Sequence, residues 1–136
     1  MPQAVQASAY GLSRQVDLSY AEAVEKVTAA LKAQGFGILT EIDVQATLKA
    51  KIDKDFTRYV ILGACNPNLA FKALSSETEI GLLLPCNVIV YEEPAGGKTR
   101  VAAMDPEVMV KVTDNPVLVE VAKEARTRIE TALGSL

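Results

Sequence analysis

The chain has 136 residues, of which 49% are hydrophobic and 23% charged, a composition typical of one folded domain rather than a disordered segment. Its net charge of −3 and pI near 5.0 exclude the basic surface that nucleic-acid binding requires, so no nucleic-acid partner is expected. Histidine is absent, which removes the commonest metal ligand and the commonest general base near neutral pH. We therefore expect neither a metal site nor a cofactor.

The opening residues, MPQAVQASAYG, lack the charged start and apolar core of a secretory signal. No apolar run approaches the roughly 18 residues that a membrane-spanning helix needs. Two cysteines are too few for a disulfide framework, which favours a reducing compartment. The sequence predicts a cytoplasmic protein that does not bind membranes.

A first strand is predicted from Tyr10 to Leu18, and a strongly marked helix follows it. Ser19 and Glu22 have the spacing of a capping box, and Gly35 is a typical helix stop. The helix has an apolar stripe at helical spacing, formed by Tyr20, Val24, Val27 and Leu31.

The next elements are shorter. GFGILTEI predicts a second strand, and Asp43 is expected to cap a short helix that ends near Lys51. Arg58 to Ala64 predicts a third strand, apolar on both sides and therefore central in the sheet. Pro67 to about Ser75 predicts another short helix.

Two further strand-like runs, Ile80 to Leu84 and Asn87 to Tyr91, are separated by Pro85, which cannot donate to a ladder. The stretch EEPAGGKT predicts a hairpin turn that leads into a strand from Thr99 to Met104. The following DPEVMVKVTD is ambiguous, since its valines alternate as in a strand while Asp105 and its proline could begin a helical turn.

The last predicted element is a long helix, with Asn115 as its cap and Pro116 in its first turn. Its apolar face comprises Leu118, Val121, Ala125, Ile129, Ala132 and Leu133. Two long amphipathic helices and about five strands, several in hairpin order, predict one α+β domain over residues 1–136. The helices should lie on one face of a mostly antiparallel sheet.

Both cysteines of the chain precede an asparagine, in Cys65-Asn66-Pro67 and Pro85-Cys86-Asn87. Asn66 has a structural interpretation, because an Asn-Pro pair also opens the last helix. Cys65 should lie just before a helix N-terminus, where a thiolate would be stabilised and reactive. The alternative is a small, buried and inert core cysteine.

Asn87 places an amide in the run NVIVY, which otherwise looks buried, and a buried amide needs partners. It could bond unpaired backbone at a bulge beside Pro85 or point into a pocket with Cys86. If the chain has a ligand-binding site, the candidate residues are Cys65, Asn66, Cys86 and Asn87. Catalytic residues are not assigned.

The segments EIDVQATLKAKI, ILGACNPNLAFKAL and IGLLLPCNVIVYE together resemble the small bacterial and archaeal family known as domain of unknown function 302. The resemblance extends over nearly the whole chain, and the Cys-Asn-Pro and Pro-Cys-Asn elements are its most specific features. It implies a TATA-binding-protein-like fold, a curved antiparallel sheet with helices on it, and a homodimer. It implies no settled activity.

Three functions fit these observations. The first is a non-enzymatic homodimeric module that binds a small molecule or a protein, because no catalytic constellation is complete and the apolar residues exceed what one small core needs. The second is a thiol-dependent redox or soft-metal-handling protein that uses Cys65 and Cys86. The third is a carboxylate-based hydrolase or isomerase that uses Glu41, Asp43 or Glu79. Whether the chain is an enzyme stays open at this level.

Overall fold

The computed structural model describes residues 4–136. In chain order the elements are β1 (Gln6–Ala7), β2 (Gly11–Val16), α1 (Tyr20–Ala33), β3 (Gly37–Asp43), α2 (Val44–Ile52), β4 (Tyr59–Cys65), α3 (Pro67–Ser76), β5 (Cys86–Glu92), β6 (Thr99–Met104) and α4 (Pro116–Gly134). A 3₁₀ segment precedes β5 and another follows β6, at Thr78–Leu83 and Pro106–Lys111.

The six strands form one sheet in the order β1-β2-β6-β5-β4-β3, and every neighbouring pair is antiparallel. Helix α1 contacts β3, β5 and β6 of this sheet, and α4 contacts β2 and β6. The predicted α+β class, with two long helices on an antiparallel sheet, is therefore confirmed. β4 has a partner on each side but lies one strand from the edge, so it is less central than its apolar sequence indicated.

The helices begin where the sequence predicts. The Ser19 hydroxyl accepts from the Glu22 N–H at 3.2 Å, and the Glu22 carboxylate accepts from the Ser19 N–H, which completes the capping box. Asp43 caps α2 by accepting from the Ala46 N–H at 2.9 Å. Asn115 caps α4 in the same way. These contacts satisfy N–H groups that would otherwise be orphaned.

The end of α1 explains Gly35. Its φ of 85° is left-handed, and the Phe36 N–H bonds the Leu31 carbonyl across the turn at 2.9 Å. This is a Schellman-type stop, which glycine adopts without a steric penalty.

The core lies between the two helices and one face of the sheet, which we call the covered face. On β5 and β6 the buried residues alternate with more exposed ones, as the two-residue period of a strand requires. The covered face and helices bury mostly aliphatic side chains, among them Leu12, Val27, Leu31, Leu62, Val88, Val90, Val101, Leu118, Ile129 and Leu133.

The predicted strand from Ile80 to Leu84 is wrong. This run forms the 3₁₀ segment Thr78–Leu83, in which Ile80 is buried and Leu82 is 84% exposed. Because Pro85 cannot donate to a ladder, pairing with β4 starts only at Cys86. The ambiguous DPEVMVKVTD is also 3₁₀ rather than strand, and Asp105 caps it by accepting from the Glu107 N–H.

The opposite side of the sheet, which we call the open face, carries a cross-strand row of apolar side chains. Ile42 pairs with Ile61, Ile61 with Ile89, and Ile89 with Ala102. These four residues are half-buried or exposed, whereas the chain neighbours of Ile61, Ile89 and Ala102 on the covered face are buried. Within the part of the chain that the structure describes, no helix is long and apolar enough to cross a membrane.

Candidate functional site

Three of the four candidate residues line one small cavity. It lies at the end of the sheet where β4 stops and β5 begins, and we call it the end cavity. Its volume is about 30 Å³, and Cys65, Asn66 and Cys86 form part of its wall. The remaining lining is almost wholly apolar and includes Phe36, Leu69, Ala73, Leu84, Met109, Val121 and Ala125.

Strand pairing brings the two cysteines together. Cys86 lies opposite Ala64, so Cys65 is one residue beyond the paired position. Both are free cysteines; Cys86 is 7% exposed and Cys65 is half-buried. The sequence-based expectation that these two segments could meet is therefore met by the fold.

The thiols are not activated by this environment. Burial raises the pKa of the Cys65 thiol above its ordinary value of 9.0. Burial raises the pKa of Cys86 to about 11, and the neighbouring Cys65 adds a smaller contribution in the same direction. Both thiols are therefore neutral near pH 7, whereas the thiolate is the nucleophile and the metal ligand. The site therefore disfavours the low-pKa thiolate that a redox role would need.

Asn66 serves as a structural joint. Its carboxamide oxygen accepts from the Leu69 N–H at 3.2 Å, so the N-terminus of α3 is capped by an amide. Its Nδ2 atom lies 3.0 Å from the place where a Cβ of Gly35 would stand. Arg128 donates to the Gln34 carbonyl at 3.0 Å beside it. The predicted capping role of Asn66 is confirmed, and the residue also connects α3 to the turn after α1.

Asn87 lies away from the other three candidates. It is exposed on the open face, because consecutive residues of a strand point to opposite sides and Cys86 points to the covered side. There it borders a shallow depression of about 180 Å³ together with Tyr10, Ile89 and Met104. The expectation that NVIVY is buried is wrong for Asn87, since full burial in this run is confined to Val88 and Val90.

Gly63, opposite Asn87, has a role that sequence reasoning missed. A Cβ at this position would collide with the hydroxyl of Thr40 and lie 2.9 Å from Cγ of Pro85. Thr40 and Pro85 therefore lie over the β4 backbone on the open face. The absence of a side chain at Gly63 allows this close approach.

The carboxylates do not form a catalytic pair. Glu41 and Glu79 are exposed, and Asp43 is engaged as the cap of α2. Across residues 4–136, no group of three or more His, Cys, Asp or Glu side chains is placed to hold a metal ion. The hydrolase hypothesis gains no support from this arrangement.

Sequence reasoning also missed an aromatic cluster at the other end of the open face. The rings of Tyr59 and Tyr91 are stacked, with their centroids 5.3 Å apart. The Phe56 ring is tilted against that of Tyr59, with a centroid separation of 6.0 Å. Burial, and to a lesser degree Tyr91 and Tyr10, raise the pKa of Tyr59. The sequence does carry a sign of this cluster, because β4 is apolar on both sides. The same pattern also fits a strand that is buried on both faces, which is what we predict from the sequence.

Charged residues beside the aromatic cluster are paired within the chain. On the open face Arg100 lies 3.4 Å from Glu93. Arg58 lies 3.7 Å from Glu92 on the covered side, where it faces the Tyr20 ring of α1. Arg100 also donates to the Ser13 hydroxyl at 3.2 Å. The open face is thus apolar along its middle, aromatic at one end and close to neutral at that rim.

The comparison with known families agrees with the resemblance noted in the sequence. The family model of the domain of unknown function DUF302 matches residues 12–136. The chain belongs to the DUF302 family. No curated protein matches this DUF302 chain.

One solved structure similar to this DUF302 protein is the crystal structure of an uncharacterized conserved protein DUF302 from Bacillus stearothermophilus. The two share 30% sequence identity and superpose with a TM-score of 0.85. The alignment covers 93% of this chain and 97% of the other. This similarity agrees with the family assignment and with the α+β fold.

Proposed function

We propose that this DUF302 protein is a non-enzymatic, cytoplasmic binding protein that works as a homodimer, with the open face of each copy covered by the other. The observation that carries the proposal is the apolar row Ile42, Ile61, Ile89 and Ala102 on a sheet face that would be polar if it met only water. The two free cysteines are in keeping with a reducing compartment.

The end cavity is a poorer binding site than the open face. Its volume of about 30 Å³ has room for one or two water-sized groups, whereas a benzene-sized ligand needs a cavity of about 150 Å³. A small organic molecule would have to displace Leu69, Met109 or another core side chain. We therefore assign binding to a surface and not to the cavity.

The charge pattern favours a second copy as the occupant. Because Arg100 already has the Glu93 carboxylate as a partner in its own chain, two open faces can meet without an uncompensated arginine at that end. A two-fold axis would place the isoleucine row of one copy against the same row of the other. The net charge of −3 does not favour an anionic partner such as nucleic acid or an acidic membrane.

The size of the face is also suitable. Five strands about 4.8 Å apart and six or seven residues long cover roughly 20 by 24 Å, or about 500 Å². This is a large part of the roughly 800 Å² that each partner buries in an interface of standard size.

Pairing through the sheet edges is less favourable. The β3 edge is interrupted by an irregularity between Ile38 and Thr40, and it carries Glu41 and Asp43, which would approach their copies in an antiparallel pairing. At the other edge β1 has only two residues.

Sedimentation velocity at micromolar concentration tests the proposal. The wild-type chain of 14.5 kDa should sediment at twice that mass. Ile89→Lys should be a folded monomer, because it places two ammonium groups against each other at the centre of the interface. Leu82→Lys is the matched control, since Leu82 is 84% exposed in the 3₁₀ segment before β5, and it should remain a dimer. A wild-type monomer, or a dimer that only Leu82→Lys disrupts, would contradict the proposal.

A further inference from the structure

Helix α2 has an apolar stripe that its own chain covers only in part. Val44, Leu48 and Ile52 are spaced by four residues and therefore lie along one side of the helix. No residue of α2 is fully buried: Val44 and Leu48 are half-buried, and Ile52 is 60% exposed. A helix of nine residues is marginal without tertiary packing, so further cover over this half-exposed stripe would stabilise it.

The fold places α2 next to the open face. The helix begins directly after β3, and its principal contacts are with β3 and β4. The Gln45 side chain donates to the Phe56 carbonyl at 3.0 Å, and the Phe56 ring contacts Tyr59 on the open face. The loop after α2 thus ties the helix to the aromatic end of that face.

We propose that α2 forms the second part of the dimer interface, with the stripe of Val44, Leu48 and Ile52 packing on the open face of the partner copy. This inference rests on the proposed homodimer and specifies how its surface is completed. The sheet alone offers about 500 Å², some 300 Å² less than an interface of standard size. The stripe and Phe56, which is 46% exposed, supply apolar area at the same end of the molecule.

The two lysines of α2 can be accommodated in such packing. The exposed Lys51 lies beside the stripe, and its flexible side chain can carry the ammonium group to solvent at the rim of the interface. Lys49 is held by Asp53 at 2.9 Å and by Asp55 at 3.3 Å, so its ammonium group is compensated within its own chain. The two-fold axis that pairs the open faces would carry each α2 toward the partner's sheet, and both copies would contribute the same contacts.

Ile52→Ala is the sharpest test. Alanine has a higher helix propensity than isoleucine, so the substitution does not weaken α2 itself, and the exposed Ile52 contributes little to the fold of one chain. We expect the dimer dissociation constant to rise about tenfold or more, because each dimer loses two buried side chains. Val119→Ala is the matched control: it also replaces an exposed β-branched residue of a helix, and it should leave the constant unchanged.

The outcomes separate this inference from the proposed function. If Ile52→Ala dimerises like the wild type while Ile89→Lys is monomeric, the role of α2 is wrong and the open-face dimer stands. An equal loss for Val119→Ala would also overturn the role of α2. Hydrogen exchange gives a second readout, since amides of α2 and of β4 should both gain protection as the dimer forms. Protection that rises only in β4 would overturn the inference for α2.

Discussion

At the scale of single residues, the two thiols of the end cavity differ from free cysteine because burial favours their neutral form. Cys86, the more buried, has its pKa raised from 9.0 to about 11. A folded-state pKa above the unfolded value means that the folded protein holds its proton more tightly. The stabilisation is complete below about pH 9 and is lost as the pH rises toward 11.

A comparison with Cys86→Ala checks this expectation. Urea unfolding at pH 8 and at pH 10 should show that the wild type loses roughly 1 kcal/mol more of its unfolding free energy over this interval than the variant does. Native Cys86 should also react slowly with an alkylating reagent at pH 8 and quickly after denaturation. Rapid alkylation of the native protein would contradict a buried, neutral Cys86 thiol and would support the redox hypothesis.

Gly63 gives a second test at this scale. Gly63→Ala forces a Cβ against Thr40 and Pro85, so we expect a loss of about 1–3 kcal/mol of unfolding free energy. Gly37→Ala on the neighbouring strand β3 is the control, because a Cβ there meets nothing within 4 Å. The control should be neutral or slightly stabilised. Equal losses in the two variants would show that strand propensity, and not the close approach, decides the effect.

At the scale of elements, sequence signals located the helices well. Ser19, Asp43, Asn66 and Asn115 all cap the helices that they were expected to begin, because a cap depends on local hydrogen bonds that a few adjacent residues determine. The strand predicted from Ile80 to Leu84 is wrong. Apolar composition does not distinguish a strand from a 3₁₀ turn when the outcome depends on whether a pairing partner is available.

Arg126 of α4 forms ion pairs with the 3₁₀ segment after β6 and with the residue that caps it. Arg126 Nη1 lies 2.9 Å from Asp105 Oδ2 and 2.9 Å from Glu107 Oε2, and its Nε donates to Glu130 at 2.7 Å. Asp105 is only 6% exposed, so its carboxylate has little contact with water and is compensated by Arg126.

Arg126→Ala should therefore cost about 1–3 kcal/mol, because it leaves the Asp105 carboxylate buried without its cation. Lys123→Ala, on the exposed side of the same helix, should change stability by less than about 0.5 kcal/mol. Chemical denaturation of both variants measures the difference. A loss for Arg126→Ala no larger than that of the control would mean that the ion pairs contribute little.

At the scale of the whole molecule, the sequence predicted the class of the fold but not which face of the sheet is uncovered. Tyr59 and Ile61 lie on one side of β4 and Val60 and Leu62 on the other, and all four are apolar or aromatic. Composition alone cannot distinguish a strand face that helices of the same chain cover from one that a partner chain would cover. The candidate site was divided for a similar reason, because the strand period places Cys86 and Asn87 on opposite faces.

If the open faces pair, the melting temperature should depend on protein concentration. Only the dimer buries the isoleucine row, so mass action stabilises the folded state as the concentration rises. Calorimetry across a hundredfold range should show an increase for the wild type and none for Ile89→Lys. A concentration-independent wild-type transition would indicate that one chain forms the whole cooperative unit.

The strand order has a consequence for how the chain is made. β2 pairs with β6 from Gly11 opposite Met104 to Val16 opposite Thr99, so its main partner emerges from the ribosome long after it does. Until then β2 has only the two-residue β1 beside it. Contacts this distant in sequence slow folding and leave strand edges exposed during synthesis. Residues 11–16 should therefore be the segment of the nascent chain that a holding chaperone protects longest.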